Sequence, residues 1–562
     1  MVRKIGIALL IIFVVAYGGI CWFFSTLVIT PNRKANTAFS EEFIASYGQP
    51  LDFEVEAFDS ISLAGWYFDN PADGDCGVVI AHGWGSNRSG MLKFFPLAWT
   101  RGCDIAMYDQ RGMGESGGKY GGGGLLEKED FQVVNKWFQE KTGLGPQKVA
   151  YLGESWGAAT VLHAAGGNSD IPFVLADSPF DAWNSAVTER AYRDYGQWID
   201  FLMPGVTTFV KWRTGVDFYE ANTKDATSKV TAPVFLIHSQ ADQATASSQS
   251  VNIAESLNDQ SVFHHTDWGS DHVKDVSNYP HRYEKLFDEF ISKNAPDWGK
   301  KIDIAYISNR NGFDIFKNDH LGEDEKQLTN NSGWDWSPAW NQSLNGIIYN
   351  SNDPQGKFQL RLMDINGIQI DYDFQGQEQF ILNHQGNAFV YAVQNGEYSQ
   401  VYVKNLTSSE IRPVTDNQSY NGRMKWSSDG VFLAYISNRE GSNDIYTYNT
   451  RSDQTQRITE DSRREKYISW SPDSNHLAYT VQEEENTNSI FIYSFQEKTS
   501  KRVVDNTYNN VEINWSPDGS RLAYHSTRAG EDHIFVYYLY EGWERQISGE
   551  KAYHGEPEWI GY

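Results

Sequence analysis

The chain has 562 residues, with 47 basic against 73 acidic side chains and a formal charge of −26. That length exceeds one hydrophobic core and predicts roughly two to four domains. The negative charge repels phosphate backbones and argues against nucleic-acid binding.

The first element is an apolar run. Ile5 to Thr30 carries no charge, and as a helix it reaches ~39 Å at ~1.5 Å per residue, against a hydrocarbon core of about 30 Å. No small-residue cleavage site follows it, and Cys21 is preceded by Ile20 rather than by the small residue that lipidation needs. Residues 1–34 are therefore expected to be an uncleaved, single-pass transmembrane anchor. Arg3 and Lys4 precede the run and Arg33 and Lys34 follow it, so the positive-inside rule discriminates weakly. The short charged start favours the cytoplasmic side, which places the bulk of the chain outside the inner membrane. The three cysteines are too few for a disulfide framework. Cys76 and Cys103 each lie two residues before a predicted strand, Val78 to His82 and Ile105 to Tyr108. Parallel neighbouring strands would bring the two thiols level; two half-buried free thiols are nevertheless the expectation.

Residues 40–297 read as the first folded region. Leu51 to Phe58 and Ile61 to Phe68 alternate as a hairpin, and Gly77 to Ala81 is an apolar strand running into His82-Gly83-Trp84-Gly85. From there strands and helices alternate. Met91 to Arg101 is helical, Asp104 to Tyr108 a strand, Leu125 to Thr142 a helix with Phe131, Val134 and Phe138 on one face, and Lys148 to Leu152 a strand. Pro172 to Asp177, Pro233 to Ser239 and Ser261 to His265 supply three more strands, with helices at Ser247 to Leu257 and Tyr283 to Ile291. Such alternation predicts a mainly parallel sheet with helices on both faces. The glycines at 121–124 lack the lysine of a phosphate-binding loop and read as a flexible loop.

Chemistry in such sheets collects at the carboxyl ends of strands. Gly153-Glu154-Ser155-Trp156-Gly157 lies between a strand and a small-residue helix, the context in which a serine is presented on a sharp turn. A serine hydroxyl needs a base, and the base needs an orienting carboxylate. Asp242 and His272 follow later strands in the order Ser, Asp, His, and are the expected acid and base, with His264 and His265 as alternatives for the base. Backbone N–H groups of Trp84 and Trp156 are the expected oxyanion donors.

Together with Asp109 to Ser116 and Gly269-Ser270-Asp271-His272, these motifs resemble an α/β-hydrolase of the dienelactone-hydrolase, serine-aminopeptidase and prolyl-oligopeptidase-like group. The resemblance covers about residues 50–293. It implies the α/β-hydrolase fold, the catalytic residues Ser155, Asp242 and His272, and a structural ion-pair role for Arg111. The acid loop departs from the family pattern, with Ser239-Gln240 before Asp242 and Gln243-Ala244 after it. Residues 180–230 correspond to the family's cap and hold Phe180, Trp183, Trp198, Phe201, Phe209 and Trp212 among other aromatics. They form either an apolar acyl or aryl pocket or only the packing of the cap on its host.

Beyond a linker containing Pro296 and Gly299, the sequence repeats. Apolar-apolar-Tyr strands end at Tyr306, Tyr349, Tyr391, Tyr435, Tyr479 and Tyr524. Six strand-rich units in residues 302–562 predict an all-β six-bladed propeller. Trp426-Ser427-Ser428-Asp429-Gly430, Trp470-Ser471-Pro472-Asp473-Ser474 and Trp515-Ser516-Pro517-Asp518-Gly519 each close a unit; the second unit closes with Leu382-Asn383-His384-Gln385-Gly386. Segments such as Ser308 to Ile315 and Ser437 to Gly441 resemble the WD-like repeats of Tol-type propellers, a resemblance nearly silent on ligand.

The function expected is a membrane-anchored serine hydrolase, with no cofactor or metal, acting on a carboxylic ester or thioester. A short peptide is the alternative substrate. A non-catalytic envelope protein that binds a protein or glycan through its propeller is the alternative of another class.

Overall fold

In the computed structural model, the strands of the first half are β1 (Leu51–Glu56), β2 (Ser62–Phe68), β3 (Gly77–Ala81), β4 (Asp104–Tyr108), β5 (Val149–Glu154), β6 (Val174–Asp177), β7 (Val234–Ser239) and β8 (Val262–Thr266). They form one sheet in the order β1-β2-β4-β3-β5-β6-β7-β8. β1, β2 and β4 pair antiparallel, and every later pairing is parallel. The structure describes residues 2–561 apart from 169, 311, 353–356, 371–380, 384–386, 461–462 and 506; Asn311, His384, Gln385 and Gly386 of the repeat motifs thus lie outside the described residues. The chain divides into two compact units, Met1–Phe39 with Gln49–Gly299, and Ser40–Gly48 with Lys300–Tyr562.

In the first unit, β3, β5, β6 and β7 are buried along their whole length because helices cover both faces. Helix α1 spans Val2–Ile29, α2 Leu125–Thr142, α3 Trp156–Ala165, α4 Trp183–Tyr195 and α5 Met203–Thr214. Phe131, Val134 and Phe138 of α2 enter the core as their spacing predicts. The helix expected over Met91 to Arg101 is instead a 3₁₀ segment, Arg88–Phe94, followed by a short α-helix, Phe95–Trp99. Pro96, which lacks an N–H, sits in that helix's first turn, where no donor is needed.

The parallel register places Gly77 opposite Asp104. Cys76 and Cys103, one residue before each, are therefore level, with Cα atoms 4.6 Å apart, and form a disulfide. This overturns the expectation of two free thiols; Cys21 is free and buried. The loop at 121–124 is likewise buried rather than flexible. The Glu127 carboxylate accepts from the N–H groups of Gly122 and Gly124 at 2.8 and 2.9 Å. A Cβ at Gly123 would enter the Trp183 ring, and one at Gly121 would press on Trp84. Glycine is needed there for close approach, not for motion.

The second unit consists of six four-stranded sheets. Its C-terminal strand, His554–Ile560, pairs with Asp303–Ser308 and so closes the first blade with the chain's last strand. The repeating tyrosines lie on the second strand from the inner edge of each blade, all buried except the half-buried Tyr391. Tryptophan joins neighbouring blades: the indole N–H groups of Trp426, Trp470 and Trp559 donate to the carbonyls of Ile381, Lys425 and Asn514, each 45 residues earlier, at 3.0–3.2 Å. One repeat length is thus the spacing of a structural bond. A helix at Glu41–Tyr47 belongs to this unit, its Phe43 and Tyr47 rings 5.0 and 6.0 Å from Tyr540.

Candidate active site

The Ser155 backbone is the most constrained in the site. It sits at φ 52°, ψ −115° between β5 and α3, a conformation that costs an L-residue roughly 1–3 kcal/mol and is kept only where packing enforces it. The enforcement is visible on both sides. A Cβ at Gly153 would strike the Gly157 carbonyl, and one at Gly157 would strike the carbonyl of Ala81 on β3. The Ser155 N–H donates to the Asp177 carbonyl at 2.7 Å, tying the turn to the end of β6.

The loops after β7 and β8 bring two further side chains to this point. His272 Nε2 lies 2.8 Å from Ser155 Oγ, and its Nδ1 lies 2.5 Å from Asp242 Oδ2. The imidazole is one-fifth exposed and the carboxylate fully buried. Burial opposes the Asp242 charge, yet hydrogen bonds from His238, His272 and the Thr245 N–H hold its carboxyl well below the usual range. Its other oxygen accepts from the N–H groups of Ala244 and Thr245 at 2.8 and 2.9 Å. The unusual residues after Asp242 thus form a turn that folds back on the carboxylate.

His238, which with Ser239 ends the apolar run of β7, is a second histidine on that carboxylate. Its Nε2–H is shared between Asp242 Oδ2 at 2.9 Å and the Thr245 carbonyl at 3.1 Å, and its Nδ1 accepts from Ser250 Oγ at 2.7 Å. The sequence signal for it was its place in a buried strand four residues before Asp242. His264 and His265 stay on β8: His264 lies against Phe235 and His265 against Ser247.

Lys93 carries no comparable signal in the sequence. Its ammonium lies 2.5 Å from Glu154, the residue before the serine, and donates at 2.8 Å to the carbonyl of Val273, the residue after the histidine. Val273, β-branched, is held at φ 51°, so the loop presenting His272 is strained and Lys93 fastens it to the elbow. Asp177, buried behind the same lysine, has its carboxyl pushed up to about 6 by burial, partly offset by the Lys93 charge.

Trp84 and Trp156 flank the serine, with ring centroids 4.4 Å apart. The Trp156 N–H opens α3 and has no intrahelical acceptor. Trp84 lies in a turn closed by Ser86 N–H to Gly83 carbonyl at 3.2 Å. His82 secures this turn, its Nε2 accepting from the Gln110 N–H at 3.0 Å and its Nδ1 lying 2.8 Å from the Gly83 carbonyl. Arg111 is buried and binds Asp130 through two contacts of 2.6 Å, the structural pairing expected of it. The Trp156 ring meets Phe180 and Trp183 of the cap at 5.6 and 5.8 Å.

The family described as the alpha/beta hydrolase fold matches residues 78–198. Protein YqkD of Bacillus subtilis is 30% identical over 230 residues, 40% of this chain and 74% of that protein. This chain belongs to the α/β-hydrolase fold family. The TolB beta propeller domain matches residues 382–488 and 462–561, so the α/β-hydrolase domain is followed by a TolB-type propeller. Protein YfhR of Escherichia coli is 27% identical over 198 residues, 34% of this chain and 62% of that protein. Among solved structures, the Pyrococcus furiosus esterase Pf2001 is similar at 23% identity and a TM-score of 0.39, covering 47% of this chain and 98% of that one. Family and architecture support a hydrolase.

Proposed function

We propose that this α/β-hydrolase is a membrane-anchored serine hydrolase that cleaves a carboxylic ester or thioester. The observation that carries the reading is the hydrogen-bonded line from Ser155 Oγ through His272 to Asp242. Ser155 Oγ attacks the substrate carbonyl while its proton passes to His272 Nε2. Asp242, held by His238 and two backbone N–H groups, orients Nδ1–H and stabilises the imidazolium. The carbonyl oxygen, now anionic, is held by the N–H groups of Trp84 and Trp156. His272 then returns the proton to the departing alcohol or thiol, leaving an acyl group on Ser155. A water, deprotonated by His272, hydrolyses that acyl-enzyme and regenerates the serine. The apolar cluster of Trp84, Trp156, Phe180 and Trp183 favours an acyl or aryl group over a polar peptide.

Anchoring through α1 is supported by length, since Arg3–Ile29 is apolar enough to cross a membrane. It is supported too by packing. Cys21, Ser25 and Ile29 are fully buried, and Arg33, just beyond, donates to the carbonyls of Ser116 and Gly118 at 2.7 and 2.8 Å. A cleaved signal sequence would strip part of the cap's core. The Cys76–Cys103 disulfide favours an oxidising compartment for the hydrolase domain. A fluorophosphonate probe tests the chemistry: wild type is labelled and Ser155→Ala is not. Equal labelling of both refutes the role of Ser155, and a panel of esters, thioesters and short peptides then ranks the substrates.

A further inference from the structure

The cap's aromatic residues divide into two sets. Phe180 and Trp183 pack on Trp156, the residue after the serine. Trp198, Phe201 and Trp212 face outward, 59%, 61% and 73% exposed. Trp198 and Phe201 share one 3₁₀ turn and Trp212 lies near the far end of α5; apolar surface this exposed is rarely left uncovered in water. The patch adjoins α1. Tyr17 donates to the Phe201 carbonyl at 3.0 Å, the Phe13 and Phe201 rings are 6.4 Å apart, and Trp22 lies 5.9 Å from Trp212.

These contacts set the cap's depth. Arg3 and Lys4 bound the apolar run on one side. From Ile5 to Phe13 the helix rises only ~12 Å, and from Ile5 to Tyr17 ~18 Å, at about 1.5 Å per residue. Neither crosses a hydrocarbon core of about 30 Å, which reaches roughly to Ser25. At that level the polar groups begin. Arg213 of α5 donates to Ser25 Oγ and Thr26 Oγ1 at 2.9 and 2.8 Å, and its guanidinium lies 4.3 Å from the centre of the Trp22 ring. A cation over tryptophan at the end of an apolar span is the arrangement of a membrane–water interface. Phe201, beside Tyr17, then lies about 12 Å inside that boundary by the same rise per residue. The carboxylate in this turn, Asp200, accepts from the Tyr192 hydroxyl of α4 at 2.7 Å.

We propose that the cap inserts into the bilayer: Gln197–Phe201 and the outer face of α5 sit among the acyl chains of the leaflet on the hydrolase side, with Trp198, Phe201 and Trp212 as contacts and Arg213 at the headgroups. The partner is the phospholipid bilayer itself. This rests on the anchoring reading above. The same apolar cluster runs from Cys21 and Ile29 of α1 through Leu202 and Val206 of the cap to Trp156 beside the serine. A substrate with a long acyl chain, drawn from the leaflet, fits that continuity.

The test is photolabelling of the full chain in phosphatidylcholine–phosphatidylglycerol vesicles carrying a phosphatidylcholine with a diazirine in its acyl chain, with adducts mapped by mass spectrometry. Adducts on 197–212 at a yield comparable to those on 5–22 support insertion. Adducts on 5–22 with none on 197–212 overturn it and leave the anchor intact. No adducts on either segment overturn both. A photo-crosslinked dimer with 197–212 free of lipid shows that a second copy covers the patch, which also overturns it. Fluorophosphonate labelling of Ser155 in the same vesicles reports the catalytic reading separately.

Discussion

Replacing Lys93 by methionine separates two roles that one ammonium combines. The first is electrostatic. Glu154 is 6% exposed at its side chain and Lys93 19%; removing one partner of a buried pair costs about 3–5 kcal/mol. Partial exposure of the lysine puts the expected loss at the lower end, about 3 kcal/mol. The loss depends on pH. Without the cation, the Asp177 carboxyl, already pushed up to about 6 by burial, loses the charge that partly offset that burial and rises further. The destabilisation is therefore largest at alkaline pH and fades as pH falls toward the unfolded carboxylate range. The second role is positional. Lys93 holds the Val273 carbonyl at 2.8 Å, and loss of that bond frees the strained residue next to His272. A misplacement of about 1 Å costs on the order of 100-fold in rate. Lys93→Met should thus lose both stability and ester hydrolysis, whereas Lys93→Met/Glu154→Gln should regain most of the stability and stay slow. Denaturant unfolding and kcat/KM on an activated ester read the two separately. Hydrolysis by Lys93→Met within about twofold of wild type refutes the positioning argument, and a double variant no more stable than the single refutes the electrostatic one.

His163 of α3 gives an acid-side prediction. Burial pushes its imidazole down to about 4, and its Nε2 has no hydrogen-bond partner among the described residues. Between an unfolded value of about 6.5 and that folded value the unfolded chain binds the extra proton, so stability falls with pH across this window, by about 3 kcal/mol in all. Thermal unfolding from pH 7 to pH 4 should be flatter for His163→Gln than for wild type, and identical slopes exclude the cause. For the Cys76–Cys103 disulfide, alkylation of unfolded, unreduced protein should modify one of the three cysteines, Cys21. Reduction across a sequence separation of 27 should cost about 3–4 kcal/mol by the loop-entropy relation, read as a lower denaturant midpoint.

Much of this architecture is written locally. Short, nearly continuous apolar runs mark β3, β5, β6 and β7, a helical period marks α2, and the G-x-S-x-G turn marks the strand-to-helix corner at Ser155. Asp242 and His272 were legible as residues following strands in the order the fold uses. The six apolar-apolar-Tyr strands counted the blades because each blade carries one of them, at a spacing of 42 to 45 residues. What stayed hidden depends on which distant segments touch. The pairing of Cys76 with Cys103 needed the register of β3 on β4. The buried state of 121–124 needed Trp84 and Trp183 to arrive against those glycines. Lys93, in a stretch whose helical period says nothing about its target, reaches the elbow and the histidine loop only through the packing of Arg88–Phe94.

By itself, then, the sequence determined the two folded regions, the apolar first helix and the strand-end positions of Ser155, Asp242 and His272, because periodicity and turn chemistry act between near neighbours. Only the tertiary structure decided that His238 shares the Asp242 carboxylate, that Lys93 bridges Glu154 and Val273, and that α1 packs against the outward-facing aromatics of the cap. Those contacts join segments separated along the chain, and their energies come from burial and matched polar groups that no local pattern records.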